Sequence, residues 1–286
     1  MNISVIVPTY NRPKALKLCL LSLAEQSVLP SEVLIADDGS GQETRDMVRE
    51  LQESLKHRFP IKHVWQEDAG FRKPRILNET VRQASGDYLI FIDGDCMAHR
   101  HFVKAHCDYS SPDAVLSGKR VEIGERLSSK LQESGKVMNR FNFRLLWDAA
   151  RRRSRRVAES IQIKNAWLRH AMHRDRIYND GVWGCNFSLS KELFISINGC
   201  DEEFLDGSIE DNDIGIRALN QGKRLRSVRG LAIIFHLWHK SSWSFDNTKY
   251  QHNLAILNRR IANKEPVCRQ GIYNEVKQVE GGKVEG

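Results

Sequence analysis

Two carboxylates separated by one glycine, Asp93-Gly94-Asp95, directly follow the apolar run Leu89-Ile90-Phe91-Ile92. A buried strand that ends this way delivers two acids to one spot, and the Gly between them permits close approach of another backbone. Oxygen-rich pairs of this kind suit a hard divalent cation, Mn²⁺ or Mg²⁺, which would neutralise a diphosphate. On spacing alone a plain turn is the better reading, because DxD recurs by chance. A calcium loop is excluded, since Met97, Ala98 and Lys104 stand where that loop needs an acid or amide, a Gly and a final Glu. His236 and His239 follow a strand-like run, and a neutral imidazole is a good further ligand for a borderline cation such as Mn²⁺. A lone buried His is more often structural, however. Trp183, next to Gly184, either stacks on a sugar face or packs in the core. A second acid pair, Glu210-Asp211, stands just ahead of a helical pattern over residues 212–221 that Gly222 closes, where acids are favoured by unpaired N–H groups and the dipole in any case.

The elements that must position these residues alternate. Residues 3–7 are a β-branched run closed by Pro8, and Arg12-Pro13 opens a helix with Leu16, Cys19, Leu20 and Leu23 at helical spacing. Residues 33–36 form a second strand that runs into the turn cluster Asp37-Asp38-Gly39-Ser40, followed by a helix with Met47, Val48, Leu51 and Leu55 on one face. A third strand (61–65), a third helix (76–84) and a fourth strand (88–92) lead to Asp93. Alternation of this kind predicts an α/β fold, a mostly parallel central sheet flanked by helices, with ligands at the carboxyl ends of the strands. The clusters Thr9-Tyr10-Asn11-Arg12, Asp37-Asp38-Gly39-Ser40 and Asp93-Gly94-Asp95 all follow strands, so they should converge on one crevice.

Apolar residues make up 41% and charged residues 28% of the 286, which excludes a disordered chain. The net charge of +8 is localised: residues 136–176 hold twelve Lys or Arg against three acids, so the remainder is about neutral. That surplus points to one anionic surface partner rather than a uniform nucleic-acid coat. After Gly124 the texture becomes helical and Arg-rich, with Met138, Phe141, Leu145 and Ala149 expected on one face of an amphipathic insertion. Residues 263–286, rich in Gly, Lys, Glu and Gln, are expected to be loosely ordered. The six cysteines form no CxxC pair, no charged lead with a long apolar run opens the sequence, and the longest apolar runs fall far short of the ~20 residues a bilayer span needs. A reducing cytoplasm is expected.

Taken in order, Val5-Ile-Val-Pro8-Thr9-Tyr10-Asn11-Arg12, Ala36-Asp-Asp38-Gly-Ser40, Gly70-Phe-Arg-Lys-Pro-Arg75-Ile-Leu-Asn78 and Gly86-Asp-Tyr-Leu-Ile-Phe-Ile-Asp93-Gly-Asp95 resemble the family 2, GT-A glycosyltransferases. Trp183-Gly-Cys-Asn186, Asn198-Gly199-Cys-Asp201-Glu202, Glu210-Asp211-Asn-Asp213 and His236-Leu-Trp-His239 resemble the galactosyltransferase-type C-terminal half of bacterial chondroitin-type polymerases. The resemblance covers residues 1–110 and 178–245. It implies a Rossmann-like GT-A fold in which Pro8, Tyr10 and Arg12 contact the nucleotide and Asp38 accepts a hydrogen bond from the base. Arg75 and Asn78 would line the nucleotide-sugar pocket, together with Gly94 and Trp183. Asp93 and Asp95 would hold a metal and the diphosphate, with His239 a better further ligand than His236. Asp211 would be the general base, and Glu210 would hydrogen-bond the acceptor. Where related chains carry Gly-Trp-Gly before the acid pair, this one has Asp206-Gly207-Ser208-Ile209, which leaves the acceptor open.

The expectation is an inverting, metal-dependent, hexosyltransferase-type enzyme at the cytoplasmic face of a bacterial membrane. It would move sugar from a nucleotide sugar, UDP-linked, to a glycan or lipid-linked glycan of lipopolysaccharide or capsule. Residues 1–110 would form the nucleotide-sugar half, 111–177 a helical basic insertion that docks on anionic lipid, 178–262 the acceptor and catalytic half, and 263–286 the tail. The rival readings are a nucleotidyltransferase, which lacks its Gly-rich, Lys-bearing loop at Thr9-Tyr10-Asn11-Arg12-Pro13, and a nucleic-acid-binding protein. The latter lacks interleaved aromatics in residues 151–156 and leaves Asp38, Asp93, Asp95 and Asp211 unexplained.

Overall fold

A computed structural model describes residues 1–141, 143–177, 181–240 and 248–273. The first third alternates as β1 (Ile3–Thr9), α1 (Pro13–Ala24), β2 (Glu32–Asp37), α2 (Gln42–Leu55), β3 (Ile61–Trp65), α3 (Lys73–Gln83) and β4 (Tyr88–Phe91). Strands β1, β2, β3 and β4 pair in parallel, and β1, β2 and β4 are buried along their whole length. Continuous Val/Ile/Leu runs are what a strand covered on both faces requires. Pro at N1 or N2 starts both α1 and α3, where its missing N–H loses no helical bond.

The chain continues through β5 (Cys96–Ala98), α4 (Phe102–Tyr109), β6 (Ala114–Ser117), β7 (Arg120–Glu122), α5 (Glu125–Ser134), α6 (Phe143–Ala150), a 3-10 turn (Val157–Ser160) and α7 (Ala166–Ala171). It closes with β8 (Phe187–Ser190), α8 (Lys191–Ser196), α9 (Glu210–Asn220), β9 (Arg224–Ser227), β10 (Ile234–His236) and α10 (Thr248–Asn263). The main sheet has the order β3-β2-β1-β4-β8-β6-β9, and a second sheet the order β5-β10-β7. The architecture is the expected α/β one with a mostly parallel central sheet. Strand β8 runs antiparallel between β4 and β6, and Phe187 stacks on Phe91 with centroids 4.3 Å apart. Its reversed direction matters for the site, because the start of β8 lies at the edge where β1, β2 and β4 end.

Three details differ from the sequence reading. The insertion does not begin at residue 111: β6 and β7 are sheet strands, and the Ala114-Val115-Leu116 run is fully buried. Beyond Gly124 the helices are short and broken, Gly135 ending α5 in a left-handed conformation (φ 65°) and Arg152 and Arg156 turning with φ 54°. Met138 and Phe141 consequently precede α6 instead of sharing its face with Leu145. The loose tail does not start at 263 either. Residues 264–273 pack back on the core through buried Cys268 and Ile272, the latter donating its N–H to Asn198 O at 3.0 Å; residues 274–286 lie outside the described residues.

Helix α10, with no counterpart in the sequence reading, is anchored by charge. Arg260 lies 2.5 Å from Asp201 and 2.8 Å from Asp213, which in turn meets Arg217 at 2.7 Å. All four side chains are fully buried.

Candidate active site

Three strand ends meet as the sheet direction requires. Asp38 N donates to Thr9 O at 3.0 Å and Gly94 N to Pro8 O at 2.9 Å. A Cβ at residue 94 would itself stand 2.9 Å from Pro8 O, so only Gly fits between the two acids. Together they form one wall of a crevice of about 520 Å³ lined by Pro8, Tyr10, Arg12, Asp38, Asp93, Gly94, Asp95 and His239, with Asp68, Phe71 and Lys73 opposite.

At one end, Asp38 accepts from Gln66 Nε2 at 2.5 Å and from Arg72 N at 2.9 Å. Burial raises its pKa, and the Arg72 and Gln66 bonds offset part of that rise. Two donors leave acceptor capacity on this carboxylate for a further N–H. The exposed Tyr10 donates its hydroxyl to Asp68 at 2.8 Å.

At the other end the small sheet carries two histidines to Asp95. Strand β10 pairs His236 with Cys96 on one side and Glu122 on the other, and Leu237 N donates to Asp95 O at 2.9 Å. His236 Nε2 lies 3.4 Å from Asp95 Oδ1, His239 Nε2 3.2 Å from Asp95 Oδ2, and Arg12 Nη1 3.2 Å from the same Oδ2. Burial works against the Asp95 charge, but His236, His239 and Arg12 outweigh it and hold the pKa well below the usual carboxylate range. Ligand atoms on a small divalent cation lie about 3 Å apart, so Asp95 and His236 are spaced as a carboxylate–imidazole pair on one ion, with His239 at the other carboxylate oxygen. The mixed oxygen and nitrogen set suits Mn²⁺ better than the oxygen-preferring Mg²⁺. Asp95, Cys96 and His236 form a three-donor group among the described residues, yet burial and Cys185 push the Cys96 thiol upward, which disfavours the thiolate a metal would need. Asp93 stands apart from this group, its Oδ1 3.5 Å from Lys73 Nζ.

Behind Lys73 lie Glu210 and Asp211, which occupy the first turn of α9 rather than preceding it. Glu210 Oε1 is 3.2 Å from Lys73 Nζ, and Asp211 accepts the N–H of Gly184, the residue before Cys185 at the start of the β8 segment. Burial first, then the Glu210 charge, raise the Asp211 pKa to about 7. A buried carboxylate that titrates near neutrality is the kind of group that takes up a proton from a reacting hydroxyl.

Arg75 and Asn78 do not join the crevice. Lys73 and Ile76 of α3 line it, and at 100° per residue a position two removed from Lys73 points elsewhere. Arg75 lines a separate cavity with Trp65, Glu79 and Glu202. Asn78 is fully buried, donating to Cys200 O at 2.8 Å and accepting from Cys200 N at 2.8 Å, so its amide holds α3 to the chain ahead of α9. Trp183 packs partly against the core, and three cations lie over its ring. Lys73 was missed by the sequence reading. The Pro74 signal was present, because a helix that starts after a strand end at the crevice presents its first turn there.

Comparisons with known proteins bear on the family and the fold. The family model of glycosyl transferase family 2 matches residues 4–179, and that of the N-terminal domain of galactosyltransferase matches residues 171–240. Validoxylamine A glucosyltransferase of Streptomyces hygroscopicus subsp. limoneus is 32% identical over 75% of this chain and 47% of its own length. Chondroitin synthase of Escherichia coli is 28% identical over 82% of this chain and 34% of its own length. The chain thus spans less than half of each of these relatives. A mannosyltransferase of Pyrobaculum calidifontis, solved in complex with GDP-Man and Mn²⁺, superposes with a TM-score of 0.59 at 17% identity, covering 93% of this chain and 69% of that one. The shared fold is the GT-A fold expected from the resemblance.

Proposed function

The chain belongs to glycosyl transferase family 2, and on that premise we propose that it transfers a sugar from a UDP-linked donor to a hydroxyl of a glycan or lipid-linked glycan, with inversion. The observation that carries this reading is the place of Asp211: its carboxylate accepts the Gly184 N–H and lines, with Glu210, a small cavity that shares Pro8 and Lys73 with the crevice, and burial followed by the Glu210 charge raises its pKa. Asp38 accepts the imide N–H of the base, while Pro8, Tyr10 and Arg12 border the nucleoside. Asp211 accepts the proton of the acceptor hydroxyl as its oxygen attacks the anomeric carbon from the face opposite the diphosphate. Lys73 links Asp93 to Glu210, so the donor and acceptor sides share one positive charge. A divalent cation held by Asp95 with His236 and His239 would neutralise charge developing on the leaving diphosphate. One displacement inverts the anomeric configuration.

Calorimetric titration with UDP tests the donor assignment. Binding is expected with Mn²⁺, to weaken strongly in EDTA, and to weaken likewise in Asp95→Ala with metal present. Undiminished affinity in EDTA would remove the metal-diphosphate assignment, and a preference for GDP, the nucleotide carried by the sugar in the Pyrobaculum complex, would replace the donor.

The insertion supports a place for this reaction. Leu145 and Asp148 of α6 are buried, whereas Phe143 (83% exposed), Leu146 and Trp147 (65%) form an outward apolar face, and Arg151 lies 3.6 Å from the centre of the Trp147 ring. With Arg144, Arg152 and Arg153 alongside, this is the composition of a segment that seats aromatics in a lipid headgroup layer and arginines on phosphate. We assign it to peripheral docking on anionic lipid at the inner face of a bacterial membrane, where lipid-linked precursors of lipopolysaccharide or capsule would meet the site. Among the described residues no helix is long and apolar enough to cross a membrane. Flotation with anionic vesicles should retain the protein at low salt and release it at high salt, and Phe143→Ser/Trp147→Ser should abolish retention. Equal retention on neutral vesicles would refute the docking.

A further inference from the structure

The β6–β7 connection and the far end of the insertion gather three cations around one indole beside the acid pair. Lys119 Nζ lies 4.4 Å from the centre of the Trp183 ring, Arg156 Cζ 4.6 Å and Arg120 Cζ 5.4 Å. Trp183 directly precedes Gly184, whose N–H holds Asp211, and its own N–H donates to Ser117 Oγ at 3.2 Å. The indole is therefore fixed to the same stretch of backbone that positions the general base.

Arg156 reaches this place because the insertion folds back. Arg155 and Glu122 exchange backbone hydrogen bonds of 2.8 and 3.1 Å in an isolated antiparallel bridge, and Arg156 follows with φ 54°. A non-glycine residue keeps that left-handed backbone only where its surroundings fix it. Two guanidiniums then share one carboxylate, Glu122 standing 3.2 Å from Arg156 Nη1 and 3.7 Å from Arg120 Nε. Burial opposes the charge on Arg120, but the neighbouring Asp93 and Glu122 carboxylates favour it, so this guanidinium remains firmly cationic within electrostatic reach of Asp93.

Cations over an indole compete with a sugar ring for its face. Planar guanidiniums beside an ammonium instead match a carboxylate or phosphate, which they bind through charge-assisted, paired hydrogen bonds. We propose that Lys119, Arg120 and Arg156, gathered around Trp183, bind an anionic group of the acceptor and seat the neighbouring hydroxyl against Asp211. The inference rests on the glycosyltransferase reading and narrows its acceptor to an acidic or phosphorylated saccharide.

Calorimetry on the full chain tests it. UDP with Mn²⁺ is titrated first, and then glucuronate, glucose 1-phosphate, inorganic phosphate and glucose are each titrated with and without saturating UDP. At least one of the two anionic sugars should bind about tenfold or more tightly than glucose, as one or more charge-assisted bonds would give. Lys119→Gln/Arg156→Gln should bring that sugar to the level of glucose while UDP affinity stays within about twofold of wild type, because neither residue lines the donor crevice. The single change Arg156→Gln, at a half-exposed side chain, should act in the same direction if the double variant does not fold. Tighter binding of glucuronate identifies a carboxylate, and tighter binding of glucose 1-phosphate a phosphate. Equal binding of all three sugars, inorganic phosphate binding as tightly as either anionic sugar, or a variant that loses UDP instead would overturn the proposal. Wild-type protein that fails to bind UDP would remove the UDP-donor reading, a result separate from the comparison among anions.

Discussion

Two groups of carboxylates sit less than one helix length apart in this chain, and they are treated in opposite ways. Asp201 and Asp213 are fully buried and meet Arg260 and Arg217 at 2.5–2.8 Å, two acids against two arginines. Asp93 and Asp95 line the crevice and Glu210 and Asp211 the small cavity behind Lys73; Lys73 pairs with Asp93 and Glu210, Arg12 pairs with Asp95, and histidines complete the surroundings of Asp95. Burying a charge without a partner is unfavourable by several kcal/mol, so a balanced set can serve the fold alone, whereas an unbalanced one persists where something else completes it. Asp213, three residues from Glu210 on the same helix, belongs to the balanced set and is closed to solvent. It is therefore no substitute for Asp211 as a base.

The comparison breaks most sharply at Asp211. Asp211→Asn keeps the acceptor atom for Gly184 N–H but cannot take a proton, so turnover should fall about 10²- to 10⁴-fold while UDP affinity is unchanged. Stability should move the other way. The native pKa near 7 lies above the unfolded value of about 3.9, so between these pH values the native state retains a proton that the unfolded chain has lost. Stability contributed by that proton is lost as pH rises through 7. Asn carries no such penalty, and its melting temperature at pH 8 should equal or exceed that of wild type, an advantage that vanishes near pH 4. Wild-type turnover should rise through about pH 7 as the base ionises. A variant within a few-fold of wild-type turnover would remove Asp211 from the role.

Breaking the balanced set should do the reverse. Arg260→Met leaves Asp201 and Asp213 without one of their two arginines, and removing one partner of a buried ion network typically destabilises by about 3–5 kcal/mol. Urea denaturation should show that loss, with turnover per folded molecule close to wild type, because Arg260 touches no residue of the crevice. A loss below about 1 kcal/mol would mean that the network is dispensable to the fold.

The same contrast explains what could be read in the sequence. Periodicity and strand-end clusters report local events, and they placed β1 through β4, the Asp93-Gly94-Asp95 turn and the convergence of Thr9, Asp38 and Asp93. What escaped depends on which way a helix faces or which strands pair. One residue pattern, Arg72-Lys73-Pro74-Arg75, contains both a crevice lysine and an arginine that faces away, and only the docking of α3 distinguishes them. His236 and His239 both approach Asp95 because β10 pairs with β5, a contact between residues 140 positions apart. Arg260 joins Asp201 and Asp213 from a helix whose first turn follows residues outside those described.

The finest distinction lies in how the two sets are held. Arg217 clamps Asp213 from one side and Arg260 from the other, so small shifts nearby leave it in place. Asp211 depends on a backbone amide at a residue without a side chain: a Cβ at Gly184 would stand 3.0 Å from Asp211 Oδ2 and 3.3 Å from Asp211 Cβ. Either the carboxylate or the Trp183-Gly184 backbone must then yield by a few tenths of an ångström. Since a displacement of about 1 Å at a reacting group can lower a rate 10²-fold, Gly184→Ala should reduce turnover by roughly 3- to 10-fold. UDP affinity should hold under the proposed placing of the nucleotide at the Asp38 end, and the melting temperature should change little. The pH at which turnover is half-maximal should also move, since the Gly184 N–H is a bond that lowers the Asp211 pKa and its weakening would carry that midpoint upward. Reduced turnover with an unmoved midpoint would place the damage at Trp183 and its cations, and wild-type turnover would show that Asp211 is held by something other than this amide.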